Sequence, residues 1–71
     1  MKNRTIAEYV KQMRKETGLT QVDLSEKAGV GLRFLRELEQ AKETLRLDKV
    51  NQVLSLFGSE VGVVSIKRDK V

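Results

Sequence analysis

The sequence lacks cysteine and histidine altogether. Without cysteine, neither a disulfide framework nor a thiolate metal site can stabilise the fold. Without histidine as well, the chain has no access to the commonest general base, the commonest metal ligand or the strongest nucleophile. A carboxylate-based or lysine-based enzyme would still need a cleft, which a chain of 71 residues can hardly close. We therefore expect no enzyme, no metal and no cofactor.

Long apolar stretches are also missing. Nowhere does the chain approach the run of about 18 apolar residues that a membrane-spanning helix requires. Its beginning, MKNRTIAEYV, lacks the apolar core of a signal peptide. These two absences predict a cytoplasmic protein that does not associate with membranes.

Charge and size indicate the kind of partner to expect. Fourteen lysines and arginines face ten acidic residues, and the net charge of +4 suits an anionic partner such as nucleic acid without requiring one. A chain this short makes one small domain that buries roughly 60% of its unfolded surface. Because so small a core gives little stability, we expect a second copy of the chain to add some, as a homodimer.

Four helices are predicted from capping signals and apolar spacing. Thr5 with Glu8 forms a T-x-x-E capping box that begins the first helix, and Thr20 with Asp23 begins the second. Gly29 stops the second helix, because glycine readily adopts positive φ. The fourth helix shows an apolar stripe that ends at a glycine: Leu47, Val50, Val53, Leu54, Phe57 and Gly58.

The second and third helices have the arrangement of a helix-turn-helix, whose second helix lies in the DNA major groove. Ser25 is a small residue four positions before Gly29, which lets the two helices approach each other closely. The third helix starts near Leu32 and carries basic residues in its first turns. Three apolar anchors fix its crossing over the second helix: Val30, Leu35 and Leu38.

The C-terminal segment EVGVVSIKRDKV has a different composition, rich in β-branched residues and without helical periodicity. A lone strand leaves an exposed edge, which pairing with the same strand of a second subunit would cover. We therefore predict a helix-turn-helix domain over residues 1–58 and a dimerising strand and tail over residues 59–71. The alternative is an unordered tail, above all beyond Lys67. The predicted strand spans Glu60 to Ile66, and its dimer contacts are Val61, Val63, Val64 and Ile66.

The stretch LTQVDLSEKAGVGLRFLRELEQAKETL, followed by LDKVNQVLSLFG, resembles the XRE, or lambda-repressor-like, family of helix-turn-helix regulators. The resemblance covers roughly Ile6 to Gly58 and is strongest to HipB-type antitoxins, in which GVGLRFLRELEQ and a C-terminal strand recur. It implies an all-α fold, a lambda-repressor-like bundle of four or five helices, with the strand paired across a dimer. It also implies a repressor of its own operon that binds a HipA-type serine/threonine kinase toxin. A two-fold dimer further predicts a palindromic operator in double-stranded DNA.

Residue roles follow from the same resemblance. The base-reading helix of the family falls on Leu32, Arg33, Arg36 and Glu37, and its phosphate-contacting glutamine falls on Gln21. An arginine in the first turn can bind guanine O6 and N7 with both arms of its guanidinium. A helix N-terminus favours phosphate beside Gln21. Glu37 either accepts a hydrogen bond from cytosine N4 or holds Arg33 in place four residues away.

Two positions depart from the family pattern. Ala41 stands where the family often has glycine, so we expect the third helix to continue through Lys42. Arg46 replaces a common serine cap before the fourth helix. We predict that Lys42 and Arg46 contact DNA phosphates. The resemblance also implies an internal ion pair between Arg14 and Glu39.

Other interpretations of the same residues remain open. The basic side chains and Glu37 are also compatible with an ordinary solvated surface, and Phe34 is a core, a partner-facing or a DNA-facing residue. At the level of function, the alternatives are a stand-alone repressor without a toxin and a protein-interaction adaptor that has lost DNA binding.

Overall fold

The structure, a computed structural model, describes residues 5–42 and 46–63. Four α-helices occupy most of these two ranges, as the apolar spacing predicts: α1 (Ile6–Glu16), α2 (Gln21–Ala28), α3 (Leu32–Glu39) and α4 (Leu47–Ser55). No strand occurs within the described residues. None of the helices in these ranges is both long and apolar enough to cross a membrane.

Reciprocal capping boxes begin α1 and α2, as predicted. The Thr5 hydroxyl accepts a hydrogen bond from the backbone N–H of Glu8 at 3.1 Å, and the Glu8 carboxylate accepts one from the N–H of Thr5 at 2.9 Å. At α2 the same two bonds join Thr20 and Asp23, at 3.0 and 3.1 Å respectively. The bond from the Thr20 N–H is the main reason why the pKa of the Asp23 carboxyl is lowered. Each box satisfies backbone donors that a helix start otherwise leaves unpaired.

The hydrophobic core lies between the four helices. α3 packs against α1 and α2, and α4 packs against α2. Leu47 departs from the apolar stripe predicted for α4, since it is 61% exposed. It is the first residue of α4 and lines a surface groove with Ile6 and Leu38. The largest fully buried side chains come from all four helices: Val10, Leu24, Leu35, Leu38, Val50 and Val53.

The residues after α4 fold back onto the bundle. The Val61 backbone N–H donates to Asn51 Oδ1 at 2.7 Å, and the Val61 side chain lies half-buried against the core. The hydroxyl groups of Ser59 and Tyr9 hydrogen-bond to each other at 2.7 Å. These two bonds attach the C-terminal segment to α4 and α1 of its own chain.

This attachment corrects the strand predicted to begin at Glu60. Residues 60–63 form no strand, because the N–H of Val61 bonds to a side chain of α4 and the Val61 side chain packs on the core. β-branched residues favour strands, but here tertiary contacts override that preference. Of the other predicted dimer contacts, Val63 is fully exposed, and Val64 and Ile66 lie outside the described residues.

The four described helices all end with the same backbone motif. A residue with positive φ follows each helix, and the N–H groups of that residue and the next donate back to the last turn. In three cases the residue is glycine, but after α3 it is Ala41, with a φ of 62°. The Ala41 N–H donates to Leu38 O and the Lys42 N–H to Glu37 O, both at 3.2 Å. The expected continuation of α3 through Lys42 is therefore wrong, and the helix ends at Glu39.

Ala41→Gly should stabilise the domain. The left-handed conformation costs alanine about 1–2 kcal/mol, which glycine does not incur, although glycine also gains entropy in the unfolded chain. We expect a net gain of about 0.5–1 kcal/mol in the free energy of unfolding, seen as a rise of a few degrees in melting temperature by circular dichroism. Gln40→Gly is the matched control and should lower the melting temperature, because Gln40 has a φ of −87°. A lower melting temperature for Ala41→Gly would contradict this description of the turn.

Candidate nucleic-acid interface

A left-handed glycine separates α2 from α3. Gly29 has a φ of 73°, and the N–H of the buried Val30 donates to Ser25 O at 3.0 Å. A Cβ on Gly29 would meet no atom closer than the Gln52 side chain at 3.8 Å, so backbone conformation rather than crowding selects glycine. Ser25 is itself buried, and its hydroxyl donates to Val22 O, so α2 and α3 approach without an unsatisfied hydroxyl. α2, this turn and α3 form the predicted helix-turn-helix.

α3 has one face inside the domain and the other in solvent. Leu35 and Leu38 are buried in the core, and Leu32 is half-buried at the start of the helix. Arg33 and Arg36, three residues apart, lie on the solvent face, and the Arg33 side chain is 91% exposed. Arg36 forms no ion pair with any residue in the described ranges. The predicted base-reading positions therefore include two arginines that a ligand can reach.

Glu37 contacts two of the predicted DNA-binding cations. Its Oε2 atom lies 3.6 Å from Arg33 Nε, on the same helix, and 3.2 Å from Lys42 Nζ, beyond the end of α3. The Glu37 side chain is 28% exposed, and both cations are more exposed than it is. The contact with Arg33 is the one that the second of the two predicted roles of Glu37 requires.

A buried carboxylate joins α1, α2 and α3. Glu39 at the end of α3 is 3% exposed, and it accepts two hydrogen bonds from the Arg14 guanidinium, at 2.8 and 3.0 Å. Arg14 also donates to Leu19 O at 3.2 Å, and Gln21 Nε2 donates to Glu39 at 3.1 Å. The ion pair implied by the resemblance is present. The same carboxylate fixes Gln21, the predicted phosphate contact, at the N-terminus of α2.

Arg46 lies at the start of α4 and does not take the place of the missing serine cap. Its side chain makes no cap hydrogen bond to the helix. It donates instead to the exposed Asp48 carboxylate, with bonds of 2.7 and 3.2 Å. These guanidinium bonds are the main reason why the pKa of Asp48 is lowered. Because exposed ion pairs are weak, Arg46 can exchange this carboxylate for a phosphate.

Lys49 of α4 contacts Phe34 of α3, and the sequence does not predict this contact. Its Nζ atom lies 5.9 Å from the centroid of the Phe34 ring, within cation–π distance. The Phe34 ring is half-buried and packs against the hydrophobic core, so a core contact is the role observed for it. The two residues belong to different helices, and no helical spacing rule pairs them.

Two short helices joined at a left-handed glycine, the second presenting exposed arginines, define a helix-turn-helix domain of the DNA-binding class. The model of the helix-turn-helix family matches residues 10–64, which include α2, α3 and α4. This chain therefore belongs to the XRE-type helix-turn-helix family of transcriptional regulators.

Two proteins with sequences similar to this chain are named as a transcriptional regulator and a repressor. The chain is 42% identical over 60 residues to the uncharacterized HTH-type transcriptional regulator y4mF of Sinorhizobium fredii, across 84% of this chain and 79% of that protein. It is 32% identical over 60 residues to the immunity repressor protein of Bacillus phage phi105, across 84% of this chain and 42% of that protein. These similarities agree with the regulator family, and neither protein is named as an antitoxin.

Arg14→Ala should destabilise the domain strongly. It would leave the Glu39 carboxylate buried without its counter-ion, which costs about 3–5 kcal/mol in comparable pairs. We expect the thermal transition, followed by circular dichroism, to fall by about 10 °C or more. Lys11→Ala, at an exposed position of the same helix, is the control and should leave the transition nearly unchanged. If Arg14→Ala melted close to wild type, the ion pair would not organise the fold.

Proposed function

We propose that this chain is a sequence-specific DNA-binding transcriptional repressor that acts as a homodimer. The observation that carries the proposal is the solvent-facing Arg33 in the first turn of α3, shortly after the left-handed turn at Gly29. In a helix-turn-helix domain, this is the part of the second helix that contacts base edges in the major groove. Membership of the regulator family and similarity to a phage immunity repressor support the same function.

In this proposal α3 reads the bases. The Arg33 guanidinium binds O6 and N7 of a guanine, which gives about 1–3 kcal/mol of discrimination against another base. Arg36 extends the contact to a second base or to the backbone, and Leu32 contacts the methyl group of a thymine. Leu35 and Leu38 hold the helix on the core while its other face enters the groove.

Phosphate contacts set the position of α3 in the groove. Gln21 lies at the N-terminus of α2, where the positive end of the helix dipole favours an anion, and Glu39 holds its side chain there. Lys42 and Arg46 are both exposed near the two ends of the α3–α4 connection. Each is paired with a carboxylate of its own chain, and each exchanges that partner for a phosphate on binding. The affinity for DNA must therefore fall as the salt concentration rises.

A homodimer doubles this interface. Two-fold symmetry sets the two α3 helices about 34 Å apart, one turn of B-DNA, and requires a palindromic operator. We infer that the C-terminal segment contributes to the subunit contact, because Val63 is fully exposed in its own subunit. Val64 and Ile66 continue the same apolar sequence.

The narrower role that we propose is that of an antitoxin. The resemblance of GVGLRFLRELEQ to HipB-type proteins supports an autorepressor that also binds a HipA-type serine/threonine kinase. A kinase gene of this type beside the present gene would distinguish that role from a stand-alone repressor. Binding of the chain to a DNA duplex would distinguish either kind of repressor from the adaptor, which does not bind DNA.

Arg33→Ala should remove sequence discrimination without unfolding the domain. The duplex preferred by the wild-type protein is first selected from a random library, and we expect it to be palindromic. Fluorescence anisotropy then compares that duplex with a scrambled one of the same length and composition. The preference for the selected duplex should fall by about 10- to 100-fold in the variant. The melting temperature should stay near that of the wild type, because the side chain is exposed.

Lys27→Ala is the control for this experiment. It removes an exposed cation from the last turn of α2 and leaves α3 unchanged, so it should keep the wild-type preference. A wild-type protein with no affinity for any duplex would refute DNA binding and favour the adaptor. An unchanged preference in Arg33→Ala would instead refute the choice of reading helix.

A further inference from the structure

Glu37 occupies a distinctive position among the proposed DNA contacts. One oxygen atom of its carboxylate lies 3.2 Å from Lys42 Nζ and 3.6 Å from Arg33 Nε. The proposed function assigns Lys42 to a phosphate and Arg33 to a guanine. Arg36, by contrast, pairs with no described residue. A single carboxylate of the chain therefore already pairs with two of the cations that DNA would need.

The fold keeps Glu37 in place more firmly than its partners. Its neighbour Leu38 is buried in the core, and the Glu37 side chain is itself 28% exposed. The Glu37 backbone oxygen accepts the Lys42 N–H at 3.2 Å, which holds the start of the lysine side chain beside the carboxylate. The Arg33 side chain is 91% exposed, so it has room to leave the carboxylate for a phosphate. A phosphate that takes either cation must therefore draw it away from Glu37.

We propose that Glu37 is a specificity-determining residue that competes with DNA phosphates for Arg33 and Lys42. This proposal rests on the proposed function. On a non-cognate duplex both cations find phosphates only, and each phosphate must displace the carboxylate while the charge of Glu37 repels the DNA backbone. On the operator, Arg33 keeps its pair with Glu37 through Nε, and the two outer nitrogens of its guanidinium bind guanine O6 and N7. Glu37 thus weakens non-cognate binding more than operator binding, and specificity rises.

Glu37→Gln tests this proposal, because it removes the charge with little change in shape. We expect the variant to bind the scrambled duplex about three- to tenfold more tightly than the wild type, since it releases two cations from exposed pairs. Binding to the selected operator should change less, so the ratio of the two affinities falls. On the scrambled duplex, the slope of log affinity against log salt concentration should steepen by about one, because the variant has one more net positive charge at the interface.

Glu26→Gln is the matched control for net charge. Glu26 is exposed on α2 and is not one of the proposed DNA or dimer contacts, and its replacement changes the charge of the chain equally. An equal gain in affinity for both variants would reflect net charge alone and would overturn the proposal. It would also be overturned if Glu37→Gln changed the preferred base at one operator position and left scrambled-duplex affinity unchanged, since Glu37 would then read a base. Wild-type protein that binds no duplex would refute the proposed function and this inference together.

Discussion

The buried carboxylate of Glu39 is the constraint on which the arrangement of the helices depends. It lies at the end of α3, and its oxygen atoms accept hydrogen bonds from Arg14 of α1 and Gln21 of α2. A single side chain thereby fixes the proposed reading helix relative to both helices beneath it. Because a buried charge without its partner is strongly destabilising, the fold tolerates little variation in how α3 sits on the bundle. The position from which Arg33 reaches a groove follows from this constraint.

Two backbone turns define the length of the helix that this network holds. Gly29 ends α2 before α3 begins, and Ala41 ends α3 in a left-handed conformation that its side chain opposes. The helix between them has eight residues. Most of its side chains are either buried in the core or exposed on the solvent face. Glu37 lies between these two sets and binds cations that we assign to DNA. The same short helix thus carries groups that attract the duplex and one that opposes it.

The features that sequence predicts well are the local ones. The capping box at Thr5 and the turn at Gly29 each act within one helical turn, so residue spacing alone predicts them. The solvent face of α3 follows from helical periodicity in the same way. Contacts between distant segments leave no such signal, which is why the Lys49–Phe34 contact was missed. The strand prediction was wrong for the same reason. The β-branched composition around Val61 does not predict the hydrogen bond from the Val61 N–H to the Asn51 side chain.

In the function that we propose, the solvent face of α3 enters the DNA groove and the N-terminus of α2 contacts the phosphates beside it. Titration of isotope-labelled protein with the selected duplex, followed by amide chemical shifts in NMR spectra, locates the surface that binds the DNA. We predict the largest shift changes over residues 32–37 and around Gln21, with small changes over residues 56–63. If the largest changes fell over residues 56–63 and α3 were unaffected, α3 would not be the reading helix.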